Sequence, residues 1–400
     1  MADLLPVGDA LARIIDGKDA LPEEWVPLDQ ADGRVLARDL AARRTQPPGD
    51  VSAMDGYAVR VADLPGILHV VGESAAGRPF AGSIPAGGAV RIFTGAQVPE
   101  GADSVVMQED AHRDGSAVRI TATSTPGRHI RPMGLDFSEG IVGLRAGTRL
   151  NPRSLSLAAA MNHGELPVHR RPRVAILSTG DELVEPGCEP GPSQIVSSNA
   201  TGLAAFVRRE GGEPIPLGIV ADRIDDTLAA VRQARAAGAD VLVTSGGASV
   251  GEYDLIRDVI AREGAALGFW RIAMRPGKPL MMSDLGPMRL LGLPGNPVAS
   301  FVCATIFLGP LLRRLSGRSD WQWKTEAATL GAAVRANDFR ADFLRAKLSG
   351  NGQALIATAF AIQDSSMIRV LADSDALIMR APFAPEAPAG SACEIIRLAD

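Results

Sequence analysis

Three carboxylates, Glu182, Asp222 and Asp254, each stand shortly beyond a short apolar run. Such hard oxygen ligands suit Mg2+, which takes one or two of them and fills its shell with water and substrate phosphate oxygens. Arg271, Arg275 and Lys278 bring three positive charges to a neighbouring stretch, suited to phosphate or another oxyanion. VLVTSGGASVGEYD, residues 241–254, sets Ser245, Gly246, Gly247 and Ser249 directly behind the run Val241–Val243. Glycine-rich backbone there turns tightly and lets a ligand approach, and amides at a helix start bind anions. Each feature alone has a plain explanation: a solvated charge, an ordinary strand-to-helix connection. Together they point to a phosphorylated substrate handled with Mg2+. Arg275-Pro276-Gly277-Lys278 lacks the glycine spacing and hydroxyl residue of a Walker A loop, and no GxGxxG stands at a strand–helix junction. An ordinary P-loop NTPase or dinucleotide oxidoreductase is therefore disfavoured.

The elements that must position these residues follow from periodicity. From Arg173 onward, β-branched runs alternate with helical patterns. Strands are predicted at Val174–Leu177, Pro214–Val220, Val241–Val243, Phe269–Met274 and Arg289–Leu291. Helices are predicted at 199–210 with Asn199 as N-cap, at 225–237, after Asp254, and at 298–315. This alternation predicts a mostly parallel sheet, whose strand-end loops gather at one edge where ligands bind. STGDEL, the Asp222 turn, the glycine loop and LPGNP, which carries Pro294 and Asn296, are expected to converge there.

Outside this region the pattern changes. Residues 9–16 read as a helix, 34–44 as either extended or helical, and 151–162 as a helix. Residues 64–140 and 319–400 show short alternating runs between Gly and Pro turns, the pattern of small β modules. Asp55 in SAMDGY and Thr94 after Ala89–Phe93 place a carboxylate and a hydroxyl on the first module, with no evident partner inside it. Four hundred residues predict two to four domains. A net charge of −5 argues against nucleic acid as the main partner. Cys188, Cys303 and Cys393 lack CxxC spacing, so neither a disulfide framework nor a zinc site is expected, as fits a cytoplasmic protein. The N-terminus lacks the basic-then-apolar order of a signal peptide. Prolines interrupt the most apolar stretch, Leu290–Leu312, which is expected to be a buried helix and not a membrane span.

PPGDVSAMDGYAV, RIFTGAQVPEGAD, STGDEL, SSN, VTSGGASVGEYD, RPGKPL and GLPGNPVASF occur in this order. Together they resemble the molybdopterin molybdenumtransferase (MoeA) family. The resemblance implies a multidomain α/β fold. A mostly parallel-sheet molybdopterin-binding domain (171–318) would be flanked by an elongated linking domain (1–45 with 140–170), a β-rich domain (46–139) and a C-terminal β-barrel-like domain (319–400). It implies insertion of molybdate into adenylyl-molybdopterin with Mg2+, releasing AMP and forming molybdenum cofactor. It further implies a homodimer whose active site is shared between subunits, with the molybdopterin adenylyltransferase and cofactor-accepting enzymes as partners. Carried over by motif, Asp55, Thr94, Glu182, Asp222 and Asp254 are the catalytic candidates, and the last three are also the metal candidates. Ser245, Gly246, Gly247, Ser249, Arg271, Arg275, Lys278, Pro294, Asn296, Arg345 and Ser366 are the substrate-binding candidates. The alternatives are a molybdopterin adenylyltransferase using ATP at the same edge and a non-catalytic scaffold that binds the cofactor.

Overall fold

A computed structural model describes residues 4–246, 255–351 and 355–398. Its centre is a six-stranded sheet in the spatial order Glu213–Val220, Arg173–Thr179, Val241–Ser245, Met288–Leu293, Pro279–Leu285, Leu267–Arg271. The first four strands are parallel, and Pro279–Leu285 runs antiparallel to both of its neighbours. Alternation along each strand decides which face a residue serves. Val174, Ile176, Val241 and Val243 pack beneath helices Asn199–Arg209 and Pro297–Leu315. Ala175, Leu177 and Leu242 face helices Ile224–Ala236 and Leu255–Arg262 on the other side. The strand Pro279–Leu285 was not expected: its Met-Met-Ser-Asp run has no β-branched residue to announce it. It forms a hairpin with Met288–Leu293 across Gly286, whose φ is +69°.

The helix Pro297–Leu315 is apolar and long enough to cross a membrane, yet it lies buried against the sheet. It opens into a π turn over Ala304–Leu308, directly ahead of Pro310, which has no amide to donate. The predicted N-cap role of Asn199 is not what the structure shows. Ser198 occupies the cap position without a side-chain cap bond, and the Asn199 amide turns into the site instead.

The flanking segments are β-rich. The six strands from Gly56–Val59 to Ala117–Ile120 form a curled mixed sheet in which only Gly66–Ser74 and Gly88–Ile92 run parallel. Residues 34–44 resolve as mostly extended chain: Leu40–Ala41 pairs with Val142–Leu144. Nearby, Glu23–Pro27 pairs with Glu165–His169. At the C-terminus, Ala341–Ser349 pairs with both Ile356–Ala359 and Ala376–Arg380. Glu326–Leu330 and Ala392–Arg397 complete the circuit, giving a closed five-stranded barrel. Met274, expected as the end of a sheet strand, pairs together with Arg275 against Ala341–Asp342 of this barrel instead.

Candidate active site at the parallel strand ends

The loops after the four parallel strands do converge. They line one cleft of about 810 Å3 containing Gly180, Glu182, Asp222, Ser245, Gly246, Pro294 and Asn296. Ser366 and Ile368 enter the same cleft from the segment after the barrel strand Ile356–Ala359.

Backbone chemistry sets these loops close together. Gly246 has φ +98°, and a Cβ there would run into the Thr179 carbonyl oxygen of the neighbouring strand end. Only glycine lets the two turns pack so tightly. The Asn199 Nδ2 donates to Ser245 Oγ and to the Gly295 carbonyl, each at 2.7 Å. One amide thereby ties the turns after Val241–Ser245 and Met288–Leu293. Asn296 Nδ2 donates to Ser365 Oγ at 2.9 Å, which joins the sheet loop to the barrel.

The acidic end of the cleft has its own electrostatics. The Asp222 amide donates to Asp181 at 3.1 Å. Burial, then the charges of Asp181 and Glu182, push the Asp222 carboxyl above the ordinary carboxylate range. A cation would relieve that repulsion. No group of three His, Cys, Asp or Glu side chains able to hold a metal exists among the described residues. A Mg2+ supplied with two carboxylates still fits if phosphate oxygens and water complete its shell. Ser178 and Thr179, 1% and 2% exposed, also line the cleft, and their hydroxyls have no partner among the described residues. Buried hydroxyls normally find one, and both oxygens lie beneath the cleft surface, closed to solvent.

The remaining candidates lie elsewhere. Asp55 and Thr94 are partners of each other: the Thr94 amide and hydroxyl donate to Asp55 Oδ1 at 2.7 and 2.8 Å. The expectation that they lack a partner in their own module is thus corrected. The Thr94 amide, then its hydroxyl, hold the Asp55 carboxyl below its usual range. Neither residue lines the strand-end cleft. Arg271 and Lys278 line a separate cavity with Leu4, Val7 and Phe339. The Arg271 guanidinium stacks over Trp270, 4.2 Å from the ring centre. Arg275 pairs with Asp338 at 2.7 Å and lies 3.8 Å from Asp342. Arg345 is 1% exposed and lies on the outer face of its barrel strand, covered by the segment that holds Gln363 and Met367. Gly247, Ser249 and Asp254 lie outside the described residues. Sequence reasoning passed over Asn199 and Ser365 as site residues. The SSN motif carried a signal for Asn199, since an Asn there need not spend its side chain on capping its own helix; nothing local marked Ser365.

Residues 5–162 match the family model described as MoeA N-terminal region (domain I and II). Residues 175–314 match a probable molybdopterin binding domain, and 327–398 the MoeA C-terminal region (domain IV). The chain is 42% identical to a molybdopterin molybdenumtransferase of a Nostoc species, over 74% of this chain and 70% of that one. It is 35% identical to molybdopterin molybdenumtransferase 2 of Mycobacterium tuberculosis, over 92% of this chain and 94% of that one. A crystal structure of a molybdopterin biosynthesis MoeA protein from Pyrococcus horikoshii superposes with a TM-score of 0.86 at 30% identity, covering both chains completely. The ordered motifs, the strand-end cleft and these similarities over nearly the whole length agree, and the chain belongs to the molybdopterin molybdenumtransferase (MoeA) family.

Proposed function

We propose that this chain inserts molybdate into adenylyl-molybdopterin, releasing AMP and forming molybdenum cofactor. The observation that carries the reading is the strand-end cleft inside the segment related to molybdopterin-binding domains. It combines the carboxylate of Asp222, set beside Asp181 and Glu182, with a tight glycine turn at Gly246. An adenylyltransferase using ATP at the same edge is not favoured, because the relatives above that share the barrel and N-terminal modules carry the molybdenumtransferase name.

In this reading Glu182 and Asp222 would hold Mg2+ beside the bound substrate, with Asp254 as a third candidate carboxylate. The ion supplies charge neutralisation at the phosphate when bound. The protein's own residues bind and orient. Ser245, Gly246, Pro294 and Asn296 shape the pocket, Ser366 closes it from the barrel, and Lys278 with Arg271 attracts oxyanion at the separate cavity they line. Gly247 and Ser249 belong to the same glycine loop by sequence. The dithiolene sulfurs of the substrate receive the molybdenum, so the chain need not supply thiolates. Cys303 fits that division: it is buried, and burial pushes its thiol far above the ordinary range.

Asp55 and Thr94 act in the site of a second subunit. No described residue of 46–139 lines the cleft, while the Asp55–Thr94 pair is exposed at the end of its own sheet. A two-fold homodimer would complete two equivalent sites. We take the domains as 1–45 with 140–170, 46–139, 171–318 and 319–400, in a cytoplasmic enzyme that hands its product to cofactor-accepting enzymes. The decisive assay follows AMP released from adenylyl-molybdopterin. Release that requires both molybdate and Mg2+ supports the transferase. ATP-dependent adenylylation, or binding without turnover, would replace it with the adenylyltransferase or the scaffold.

A further inference from the structure

One wall of the cleft does not come from the sheet. Ser366 and Ile368 reach it from the segment that follows the barrel strand Ile356–Ala359. That segment is held at two places. Toward the sheet, Ser365 Oγ accepts from Asn296 Nδ2 at 2.9 Å, and the Ser365 carbonyl accepts from the Val298 amide at 3.1 Å. Toward the barrel, the Phe360 amide donates to the Arg345 carbonyl at 3.0 Å, and the side chains of Gln363 and Arg345 hold the rest. Gln363 Oε1 accepts from the amide and the Nε of Arg345 at 3.0 and 3.3 Å. Gln363 Nε2 donates to the Arg345 and Phe360 carbonyls at 3.0 and 2.9 Å. The Arg345 guanidinium also donates to the Met367 carbonyl at 3.4 Å. Between these anchors, the Ser366 hydroxyl and amide both donate to Asp364, at 2.6 and 2.8 Å.

We propose that Gln363 and Arg345 are positioning residues that seat Ser365 against Asn296 and so fix the barrel wall of the active-site cleft. Arg345 is sealed from solvent and reaches the site only through this loop, so its charge does not contact substrate. The Gln363 amide uses both its oxygen and its nitrogen on fixed partners. Its loss would free the segment Phe360–Met367 without removing a residue from the barrel core, which is built from Leu330, Ala346, Ala376 and Ile378. The inference rests on the strand-end cleft being the substrate site proposed above.

The test pairs amide hydrogen exchange with kinetics on the full-length protein. In Gln363→Ala the Val298 amide should exchange at least ~10-fold faster, because the seat that protects it is no longer held. Apart from the Arg345 amide, which loses Gln363 as its acceptor, protection in Ala341–Ser349 and Ala376–Arg380 should be unchanged. The KM for adenylyl-molybdopterin should rise ~10-fold with kcat within ~2-fold, the scale of one or two lost hydrogen bonds. Ser365→Ala, which keeps the backbone bond, should give ~3–5-fold in KM, and Ser365→Thr should restore the wild-type value. Wild-type Val298 exchange and wild-type KM in folded Gln363→Ala would overturn the proposal, as would loss of protection spread evenly over the barrel. The exchange arm needs no turnover. If the wild-type chain released no AMP with molybdate and Mg2+, the functional reading would fall while exchange still judged the seat.

Discussion

Replacing Asn199 by alanine removes the amide that joins two of the four strand-end turns. Two hydrogen bonds of 2.7 Å disappear at once, to Ser245 Oγ and to the Gly295 carbonyl. Ser245 is 3% exposed, so water does not simply take the place of its lost partner. At a net value of about 1 kcal/mol for each bond, the change costs about 2 kcal/mol. If the bound transition state needs both turns in register, the same 2 kcal/mol lowers kcat/KM by ~30-fold. On the stability side it lowers the melting temperature by roughly 4–8 °C for a cooperative unit of about 150 residues or more. The assay measures molybdate-dependent AMP release over a range of adenylyl-molybdopterin concentrations, alongside thermal unfolding. Asn199→Asp is the sharper control. It keeps the size of the side chain, loses both donors, and turns a carboxylate oxygen toward the Gly295 carbonyl, so it should be at least as damaging as alanine. Wild-type kcat/KM in either variant would refute the reasoning, and in the aspartate variant would show that no donor is needed at this position.

Proton and cation should compete at Asp222. Its carboxyl is held above the ordinary range, so Mg2+ affinity should begin to fall at a higher pH than for a free carboxylate. The same raised value means that the ionised form costs stability, a cost relieved as pH falls through the folded-state pKa. Calorimetric Mg2+ titrations on wild type and Asp222→Asn check both directions, and a pH-independent affinity in the wild type would remove Asp222 from the cation site. If the site is shared between subunits as proposed, Asp55→Ala and Asp222→Ala should both be nearly inactive, while verified heterodimers of the two should recover about half of the wild-type activity. No recovery would mean that Asp55 serves its own subunit. At the basic cavity, Lys278→Ala should weaken molybdate binding more than Arg275→Ala, because Asp338 already engages Arg275. Equal losses measured by calorimetry would show that the Asp338 pair opens to ligand.

The central sheet was legible because burial on both faces leaves its mark in sequence. Val174–Leu177 and Val241–Val243 are continuous apolar runs, and Gly211 and Gly238, with φ +90° and +68°, stop the helices where glycine permits the turn. Convergence of the strand-end loops then followed from topology alone. The Pro279–Leu285 strand escaped because methionine and leucine suit helix and strand alike. The Asp55–Thr94 pair escaped for a different reason. Its two members are brought together by pairing between Gly56–Val59 and Gly88–Ile92, and such register leaves no trace in local spacing. Family motifs named most of the site residues, yet motifs carry no position. They could not place Arg345 beneath the Gln363 segment or Arg271 beside a different cavity from Asp222.

The apolar layer on one face of the sheet recruits residues from three distant parts of the chain. Ala10, Leu11 and Ile14 of the first helix pack there, and so do Phe343, Leu377, Ile396 and Leu398 of the barrel. The modules are therefore not beads that can be cut apart. A fragment ending near residue 318 would bare the seats of those four barrel residues and unpair Met274–Arg275 from its neighbouring strand. Apolar surface left uncovered in this way favours self-association over a soluble monomer. Dissection of this chain has to respect where its core is shared, not where its motifs begin and end.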